Sequence, residues 1–192
     1  MPLIKNLDEY NIVAIDPGLT TTGVAIFTIN NIADTIKNVT AFTLNSDKLP
    51  NSMDLSPEIY TERVIKLHKI KSAIVKILYD YKPIGVACEN SFYNRFRPMA
   101  YGSLLEVINT IQAAVIEYNT NVVMRLIEPL LVKKMVDAQP KGGKEAVLEG
   151  VRKVPLIMNN LDVNIDLLDE HSIDALAIGY SYLILNELTV KP

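Results

Sequence analysis

Apolar runs near the start of the chain predict strands, and later runs alternate with helical patterns. Residues 11–16, 22–29 and 36–44 are rich in β-branched residues and closely spaced, which predicts three antiparallel strands. The short apolar runs at 84–88 and 122–127 predict two further buried strands. The chain is therefore expected to begin with a meander, and its later strands are separated by helices.

Apolar residues at helical spacing predict the remaining elements. The predicted helices are at 56–81, 99–118, 128–137, 144–154 and from Asp169 onwards. Ser56 and Pro57 have the features of a helix start, with Ser at the N-cap and Pro at the first helical position. The segment 156–168 has no clear period and is predicted as a loop. Three strands followed by alternating helix and strand predict a mixed α/β fold with helices on both faces of the sheet.

Length and composition are typical of one globular domain, residues 1–192, with 49% hydrophobic residues and a net charge of −3. No apolar run approaches the roughly 20 residues that span a bilayer. The first residues lack the form of a signal peptide, so no membrane association is expected. Cys88 is the only cysteine of the chain, which excludes an internal disulfide framework. One cysteine and two histidines also nearly exclude a structural zinc site.

Basic residues are concentrated in one stretch of an otherwise acidic chain. Between Arg125 and Lys153 there are seven basic and four acidic residues, so this stretch carries +3 and the remainder −6. Such an excess is compatible with a nucleic-acid surface and equally with an ordinary solvated face. Charge alone does not choose between the two.

Two predicted buried strands end on a carboxylate. Asp16 follows the apolar run 12–15 and precedes the turn Pro17-Gly18, and Glu89 follows Cys88. A charge at the tip of a buried strand is costly unless something neutralises it. If the two strands are parallel neighbours, their carboxylates lie side by side at one sheet edge, where ligand sites of α/β proteins form.

The start of the last predicted helix adds two candidate ligands. His171 and Asp174 are three residues apart and therefore share one helix face. Asp174 lies between apolar neighbours, which is unusual for an acid without a partner. Three carboxylates and an imidazole suit Mg²⁺ or Mn²⁺, and two such ions about 4 Å apart can drive phosphodiester cleavage. Taken singly, each acid is equally well a helix cap or a surface charge.

Three motifs in the chain, taken together, resemble those of a known family. Ile15-Asp16-Pro17-Gly18 with Thr22-Gly23, Cys88-Glu89-Asn90-Ser91-Phe92, and His171-Ser172-Ile173-Asp174-Ala175-Leu176-Ala177 are similar to the three acidic motifs of RuvC-type Holliday-junction resolvases. The motifs occur in the family's order, and the resemblance extends from Asn11 to about Tyr180. It implies a ribonuclease-H-like fold, in which strands 1–3 are antiparallel, later strands are parallel, and helices cover both faces.

The resemblance also implies roles for the acidic residues and the histidine. Asp16, Glu89 and Asp174 match the family's catalytic metal ligands, and His171 occupies a position that is Asp or His in the family. Two Mg²⁺ or Mn²⁺ ions per site are implied. Two roles for His171 remain open, because an imidazole at this position either ligates a metal or orients the attacking water.

The candidate DNA-binding residues are aromatic or basic and lie in two segments: Phe92, Tyr93, Arg95 and Arg97 in the first, and Lys133, Lys134, Lys141 and Lys144 in the second. Phe92 matches the family's aromatic residue that inserts or stacks at the crossover; the alternative is a core residue. Lys133 and Lys144 resemble residues that hold phosphates near the scissile bond. Lys134 is an alternative to Lys133, because the register is ambiguous by one.

The chain departs from the family's pattern in several places. It is more acidic than typical members, and its 156–168 connection is longer. Asp169 and Glu170 flank His171, and either is a helix-start acid favoured by the helix dipole or an alternative metal ligand. These departures concern the details of the site and of junction recognition.

The function implied by the resemblance is resolution of four-way DNA junctions by paired symmetric nicks that leave 5′-phosphate and 3′-hydroxyl ends. The expected partners are branched DNA and a second copy of the chain, because two symmetric cuts need two active sites. The apolar stripe of the helix 99–118 is either the dimer interface or ordinary core. The single cysteine suits a cytoplasmic protein, and the compact chain suits a viral enzyme that acts in the host cytoplasm.

Three other functions are weighed against this one. A nuclease of the same superfamily that cuts branched DNA in general, or structured RNA, uses the same acidic residues. An actin-like ATPase or sugar kinase fragment shares the Asp-Pro-Gly-x-x-x-Thr-Gly pattern, but such proteins need two domains around the nucleotide. A binding module without catalysis is disfavoured, because all four candidate metal positions hold competent ligands.

Overall fold

Strands and helices alternate along the part of the chain that the computed structural model describes, residues 7–91, 98–139, 142–186 and 188, with backbone alone for Pro98 and Lys144. The strands are β1 (Glu9–Asp16), β2 (Thr21–Asn30), β3 (Thr35–Asn45), β4 (Gly85–Glu89) and β5 (Val123–Ile127). The helices are α1 (Glu62–Tyr81), α2 (Pro98–Tyr118), α3 (Pro129–Met135), α4 (Lys144–Arg152), α5 (Pro155–Met158) and α6 (Glu170–Leu185).

The strands form one mixed sheet in the order β3-β2-β1-β4-β5. β1, β2 and β3 are antiparallel neighbours, whereas β4 is parallel to both β1 and β5. The predicted meander and the parallel second half are therefore confirmed. Because β1 and β4 run in the same direction, both end at the same edge of the sheet. We call this edge, where Asp16 and Glu89 lie, the site edge.

Alternate side chains of the central strands face two separate layers of helices, as the two-residue period of a strand requires. Val13 packs with Ile74 of α1 and Ile111 of α2 on one face. Ala14 packs on the opposite face in a cluster that includes Leu176 of α6. The expectation of helices on both faces is confirmed, and the sheet is buried between them.

Helix α1 begins at Glu62 and not near Ser56, so the predicted start is wrong. The Ser56 hydroxyl bonds the Glu58 side chain, and residues 57–60 form turns closed by backbone bonds to the Ser56 carbonyl oxygen. The helix is capped instead by Thr61, whose side chain accepts a bond from the Val64 N–H at 3.4 Å. Ser side chains that bond locally compete with helix formation, which explains the delay.

The segment 156–168 is not the plain loop that its pattern predicts. It contains most of α5, a 3₁₀ turn at Ile165–Leu167, and a bridge between Leu161 and Val39 of β3. Ile157 and Ile165 are buried. Elements of three or four residues are too short to show a helical period, so their positions depend on tertiary contacts.

The apolar stripe of α2 lies in the core. Ile108, Ile111 and Val115 are buried against the sheet and α1, and Leu104 packs against the same cluster. Of the two alternatives for this stripe, the dimer interface and ordinary core, the structure favours the core, because the surface of the stripe is already covered within one chain.

Helix α2 is also long and apolar enough, by length and composition alone, to cross a membrane, which the sequence pattern did not predict. Within the span Met99–Tyr118, an 18-residue window has a mean hydropathy of 1.3, and 28% of that window is buried. A layer helix of a folded domain passes the same test. Glu106 and Glu117 of α2 pair with Arg63 and Lys71 of α1, so α2 is held within the α1 layer.

Candidate active site

Strand register brings two of the predicted acids together. Ala14 and Ala87 are partners in the β1–β4 ladder, and both side chains belong to the cluster that faces α6. Asp16 lies two residues after Ala14 in β1, and Glu89 lies two residues after Ala87 in β4. Because side chains alternate between the faces of a strand, both carboxylates lie side by side on the α6 face of the site edge.

Helix α6 reaches this edge because Gly23 has no side chain. Gly23 is the β2 partner of Asp16, and a Cβ at this position would lie 2.0 Å from the His171 carbonyl oxygen and 3.2 Å from the Asp16 Cβ. The first turn of α6 therefore rests directly on the backbone of β2. This close approach places His171 and Asp174 beside the ends of β1 and β4.

Replacing Gly23 with Ala is expected to displace the first turn of α6, because the new methyl group meets backbone atoms that cannot rotate away. We expect a loss of about 1–3 kcal/mol in the free energy of unfolding, as for other overpacked core sites. Urea denaturation measures it. Gly102→Ala is the matched control: nothing lies within 4 Å of its added Cβ, and it is expected to stabilise α2 by about 0.5–1 kcal/mol. Equal effects at the two positions would contradict the role given to Gly23.

Asp169 caps α6. Its Oδ1 accepts bonds from the Ser172 N–H at 2.9 Å, the Ser172 hydroxyl at 2.8 Å and the Thr43 hydroxyl of β3 at 2.5 Å. Burial raises the pKa of Asp169, but these bonds outweigh it and hold the pKa below its ordinary value. Of the two alternatives for Asp169, the structure favours the cap, which also ties α6 to β3.

The imidazole of His171 has a partner at each ring nitrogen. Its Nδ1 lies 2.8 Å from Asp16 Oδ2, and its Nε2 lies 2.8 Å from Thr21 Oγ1. Glu170 Oε1 is further away, 3.6 Å from Nε2. His171 is therefore fixed between β1 and β2, with one nitrogen directed at the acidic edge.

The carboxylates of Asp16, Glu89 and Asp174 act on one another electrostatically. Burial and then the negative charge of Asp16 raise the pKa of Glu89 to about 8 and that of Asp174 to about 6. Burial also raises the pKa of Asp16, although its bond to His171 opposes the rise. Burial is the largest cause of each shift, and the charge of Asp16 adds to it at both Glu89 and Asp174.

These side chains supply the oxygen donors that a hard divalent cation prefers. As they stand, no three His, Cys, Asp or Glu side chains of the described residues are grouped closely enough to hold a metal ion. Asp16 Oδ2 is hydrogen-bonded to His171 Nδ1. The donor set fits Mg²⁺ or Mn²⁺ in its chemistry, and the assignment of Asp16, Glu89, His171 and Asp174 as catalytic metal ligands stays a prediction.

Lys133 is the basic residue that the structure brings to this edge. Its positive charge lowers the pKa of both Glu89 and Asp174, and its Nζ donates a bond to the Gly142 carbonyl oxygen at 3.3 Å. Lys134, its neighbour in α3, is exposed. Position therefore favours Lys133 over Lys134, a choice that the sequence left open.

The other predicted DNA-binding residues are located only in part. Lys144 is the first residue of α4, and its side chain is not described. Five further candidates lie outside the described residues: Phe92, Tyr93, Arg95, Arg97 and Lys141. Within the basic stretch, Arg125 bonds Asn186 beyond the C-terminal end of α6, and Arg152 pairs with Glu149 and Asp166. The stretch is therefore not one continuous basic face.

Thr21 contacts His171, and the sequence pattern did not single it out as a site residue. The signal was present in the strand period: Thr21 precedes Gly23 by two residues and so points to the same face of β2. It could be recognised only with the β1–β2 register and the position of α6, neither of which a local pattern contains.

Comparisons with protein-family models and with curated proteins find no match to this chain. Solved structures, by contrast, are similar over most of its length. T. thermophilus RuvC in complex with a Holliday-junction substrate has a TM-score of 0.65 at 19% identity, over 95% of this chain and 99% of that chain. The yeast mitochondrial Holliday junction resolvase Ydc2 has a TM-score of 0.60 at 10% identity, over 93% and 81%.

A viral protein shows the same likeness. The fowlpox virus resolvase, solved with substrate Holliday-junction DNA, has a TM-score of 0.55 at 19% identity, over 92% of this chain and 98% of that chain. Each of these likenesses covers more than nine tenths of this chain. The chain therefore has the fold of these RuvC-type resolvase structures, a ribonuclease-H-like mixed sheet with helices on both faces.

Proposed function

We propose that the chain is a metal-dependent, structure-selective DNA endonuclease that resolves four-way junctions. The observation that carries the proposal is the convergence of Asp16, Glu89 and Asp174 from β1, β4 and α6 at one edge. There the charge of Asp16 raises the pKa of both Glu89 and Asp174, and the charge of Asp174 raises that of Glu89. This convergence occurs in a fold shared with proteins solved in complex with Holliday-junction DNA. Carboxylates held close together in a partly buried site are unfavourable for stability alone, and a bound cation would neutralise them.

In this proposal the acidic side chains hold Mg²⁺ or Mn²⁺ at the site edge. Two ions held there would supply a nucleophilic water and would stabilise the leaving oxygen of the phosphodiester. Asp16 is central, because it lies beside both Glu89 and His171. His171 keeps two candidate roles, as a ligand or as the group that orients the attacking water, since its Nδ1 faces the acidic edge.

The distribution of charge indicates which side of the site receives DNA. The segment 45–62, next to β3, contains Asp47, Asp54, Glu58 and Glu62 against Lys48 alone. Lys133 lies on α3, which follows β5 at the opposite end of the sheet. Since phosphates bind where lysine and arginine collect, the duplex is proposed to lie over α3 and the start of α4. Phe92 is proposed to stack at the crossover, flanked by Tyr93, Arg95 and Arg97.

Paired symmetric cuts require two active sites, so a homodimer is part of the proposal. The inner stripe of α2 is core, which leaves the outer side of the helix for a partner. That side exposes Met99 and Ile116, which are 86% and 56% accessible. Sedimentation of the purified protein, alone and with a junction, measures the stoichiometry.

Lys133→Ala is expected to weaken junction binding and to reduce its salt dependence, because one phosphate contact is lost. The slope of log affinity against log salt should fall by about 0.9 per contact. Filter binding with a catalytically inactive variant at several salt concentrations measures it. Lys134→Ala is the matched control, and we expect a smaller change. If Lys134→Ala lowers the slope and Lys133→Ala does not, the register assigned to α3 is wrong.

The proposed activity is tested with three labelled substrates: a synthetic four-way junction, a Y-fork and a structured RNA. Each is incubated with the protein in Mg²⁺, in Mn²⁺ and in EDTA, with Asp16→Asn as the background control. We expect metal-dependent, symmetric nicks in the junction. Preferential cutting of the fork or of RNA would assign the chain to a related nuclease activity. No cutting of any substrate would overturn the nuclease proposal.

A further inference from the structure

Thr21 contacts the predicted catalytic histidine from the side opposite Asp16. It is the first residue of β2, it is half-buried, and its Oγ1 lies 2.8 Å from His171 Nε2. Across the ring, Nδ1 lies 2.8 Å from Asp16 Oδ2. The three side chains thus form one series of hydrogen bonds from a hydroxyl through an imidazole to a carboxylate.

We propose that Thr21 is a positioning residue, which holds Nε2 of His171 and thereby keeps Nδ1 directed at Asp16 and the acidic edge. The expected effect on cleavage rests on the proposed nuclease function. The position of the His171 imidazole, by contrast, is a property of the metal-free chain. A histidine that works at a metal site needs an outer partner at its second nitrogen. Thr21 is placed to be that partner.

A hydroxyl suits this position because it both donates and accepts hydrogen bonds. When Nδ1 carries the proton that Asp16 accepts, the Thr21 hydroxyl donates to Nε2. When the proton is on Nε2 instead, Nε2–H donates to Thr21 Oγ1. The ring of His171 therefore keeps its orientation in both tautomers, and its Nδ1 lone pair can face the acidic edge without rotation of the side chain.

Removal of the hydroxyl leaves Nε2 with Glu170 Oε1, which is 3.6 Å away and beyond a good hydrogen bond. We expect the ring in Thr21→Val to turn towards Glu170 and Nδ1 to move away from Asp16. Valine is nearly isosteric with threonine and favours strands, so β2 itself is expected to fold normally.

The direct test is the ¹⁵N spectrum of the imidazoles in the metal-free protein. The chain has two histidines, and His68, on α1 in the groove between α1 and α2, is an internal reference. We compare Thr21→Val, the conservative Thr21→Ser, and Thr20→Val as a matched control on an exposed neighbour. The His171 signals should shift in Thr21→Val alone, while those of His68 stay in place. Thr21→Ala replaces Thr21→Val should the valine variant fail to fold.

The second readout is cleavage of a four-way junction in Mg²⁺. Thr21→Val is expected to cut roughly tenfold more slowly, as for other lost outer partners of metal-site histidines, and Thr21→Ser to stay within about twofold of the wild type. Unchanged His171 signals in Thr21→Val, or equal shifts in Thr21→Ser, would overturn the positioning role. A wild-type protein that cuts no nucleic acid would overturn the proposed function instead, and the ring signals would still decide the role of Thr21.

Discussion

Asp16→Asn is expected to abolish the proposed junction cleavage, with a rate reduced on the order of 10³-fold. The substitution removes one proposed anionic metal ligand, and the proposed ions would stabilise transition-state charge by several kcal/mol. The asparagine oxygen can still accept a bond from His171 Nδ1, so the position of the ring should be retained. Junction binding should be unchanged or tighter, since a negative charge facing the phosphates is removed. Single-turnover cleavage and gel-shift titration measure the two quantities.

The control for this experiment is Asp80→Asn. Asp80 lies near the C-terminal end of α1, exposed and paired with Lys76, and away from the site edge. Its substitution should leave cleavage at the wild-type rate. The metal-site assignment would be wrong if Asp16→Asn also cut at that rate.

Glu89→Gln is expected to stabilise the metal-free protein at pH 8, although it should inactivate the enzyme. Burial and the charges of Asp16 and Asp174 raise the pKa of Glu89 from 4.5 to about 8. The folded chain therefore binds this proton more tightly than the unfolded chain does. Its contribution to stability is complete below pH 4.5 and is lost as the pH rises towards 8, by about 1.4 kcal/mol per pH unit.

Glutamine does not ionise, so this loss is absent in the variant. We expect Glu89→Gln to exceed the wild type by roughly 2–4 kcal/mol in the free energy of unfolding at pH 8, and by much less at pH 5. Urea denaturation in EDTA at both pH values measures the difference. Glu117→Gln, an exposed residue of α2, should stay within about 0.5 kcal/mol of the wild type at both. Equal pH slopes for wild type and Glu89→Gln would contradict the shifted pKa.

Added Mg²⁺ should reverse the order of the two proteins. A cation that binds the folded chain stabilises it in proportion to its affinity, and Glu89→Gln removes a ligand. Glu89 would then destabilise the metal-free protein and stabilise the protein only when a metal is bound. Such a residue serves a binding site and does not stabilise the fold itself. The comparison with and without Mg²⁺ therefore also distinguishes acids that bind a metal from acids that are only helix caps or surface charges.

Much of the fold was predictable from local pattern. The three strands of the meander, the two later strands and the last helix each have a period or an apolar run that stands out in the sequence. The two misplaced elements have different causes. The sequence pattern places the start of α1 at Ser56, whose side chain bonds locally instead. Helix α5 is too short to show a helical period. At α1 a local side-chain bond competes with the helix, and at α5 contacts outside the segment decide where the helix forms.

The stripe on α2 illustrates a different limit. Its spacing correctly predicts an amphipathic helix, but an apolar stripe has the same appearance whether it meets a sheet or a second chain. Only the packing of Ile111 and Val115 against the sheet shows that the stripe is core. What covers an apolar surface is a tertiary property, because the hydrophobic effect has no direction and no specific partner.

By itself, the sequence determined which residues end the buried strands and begin the last helix, because an acid at the tip of an apolar run is a local feature. The tertiary structure decided the rest: that β4 lies beside β1 in the register that joins Ala14 to Ala87, that Gly23 admits α6 to the sheet, and that Thr21 meets His171. The physical reason is that strand pairing and close backbone approach join residues distant in the chain, and a local pattern of polar and apolar positions carries no record of which segments meet.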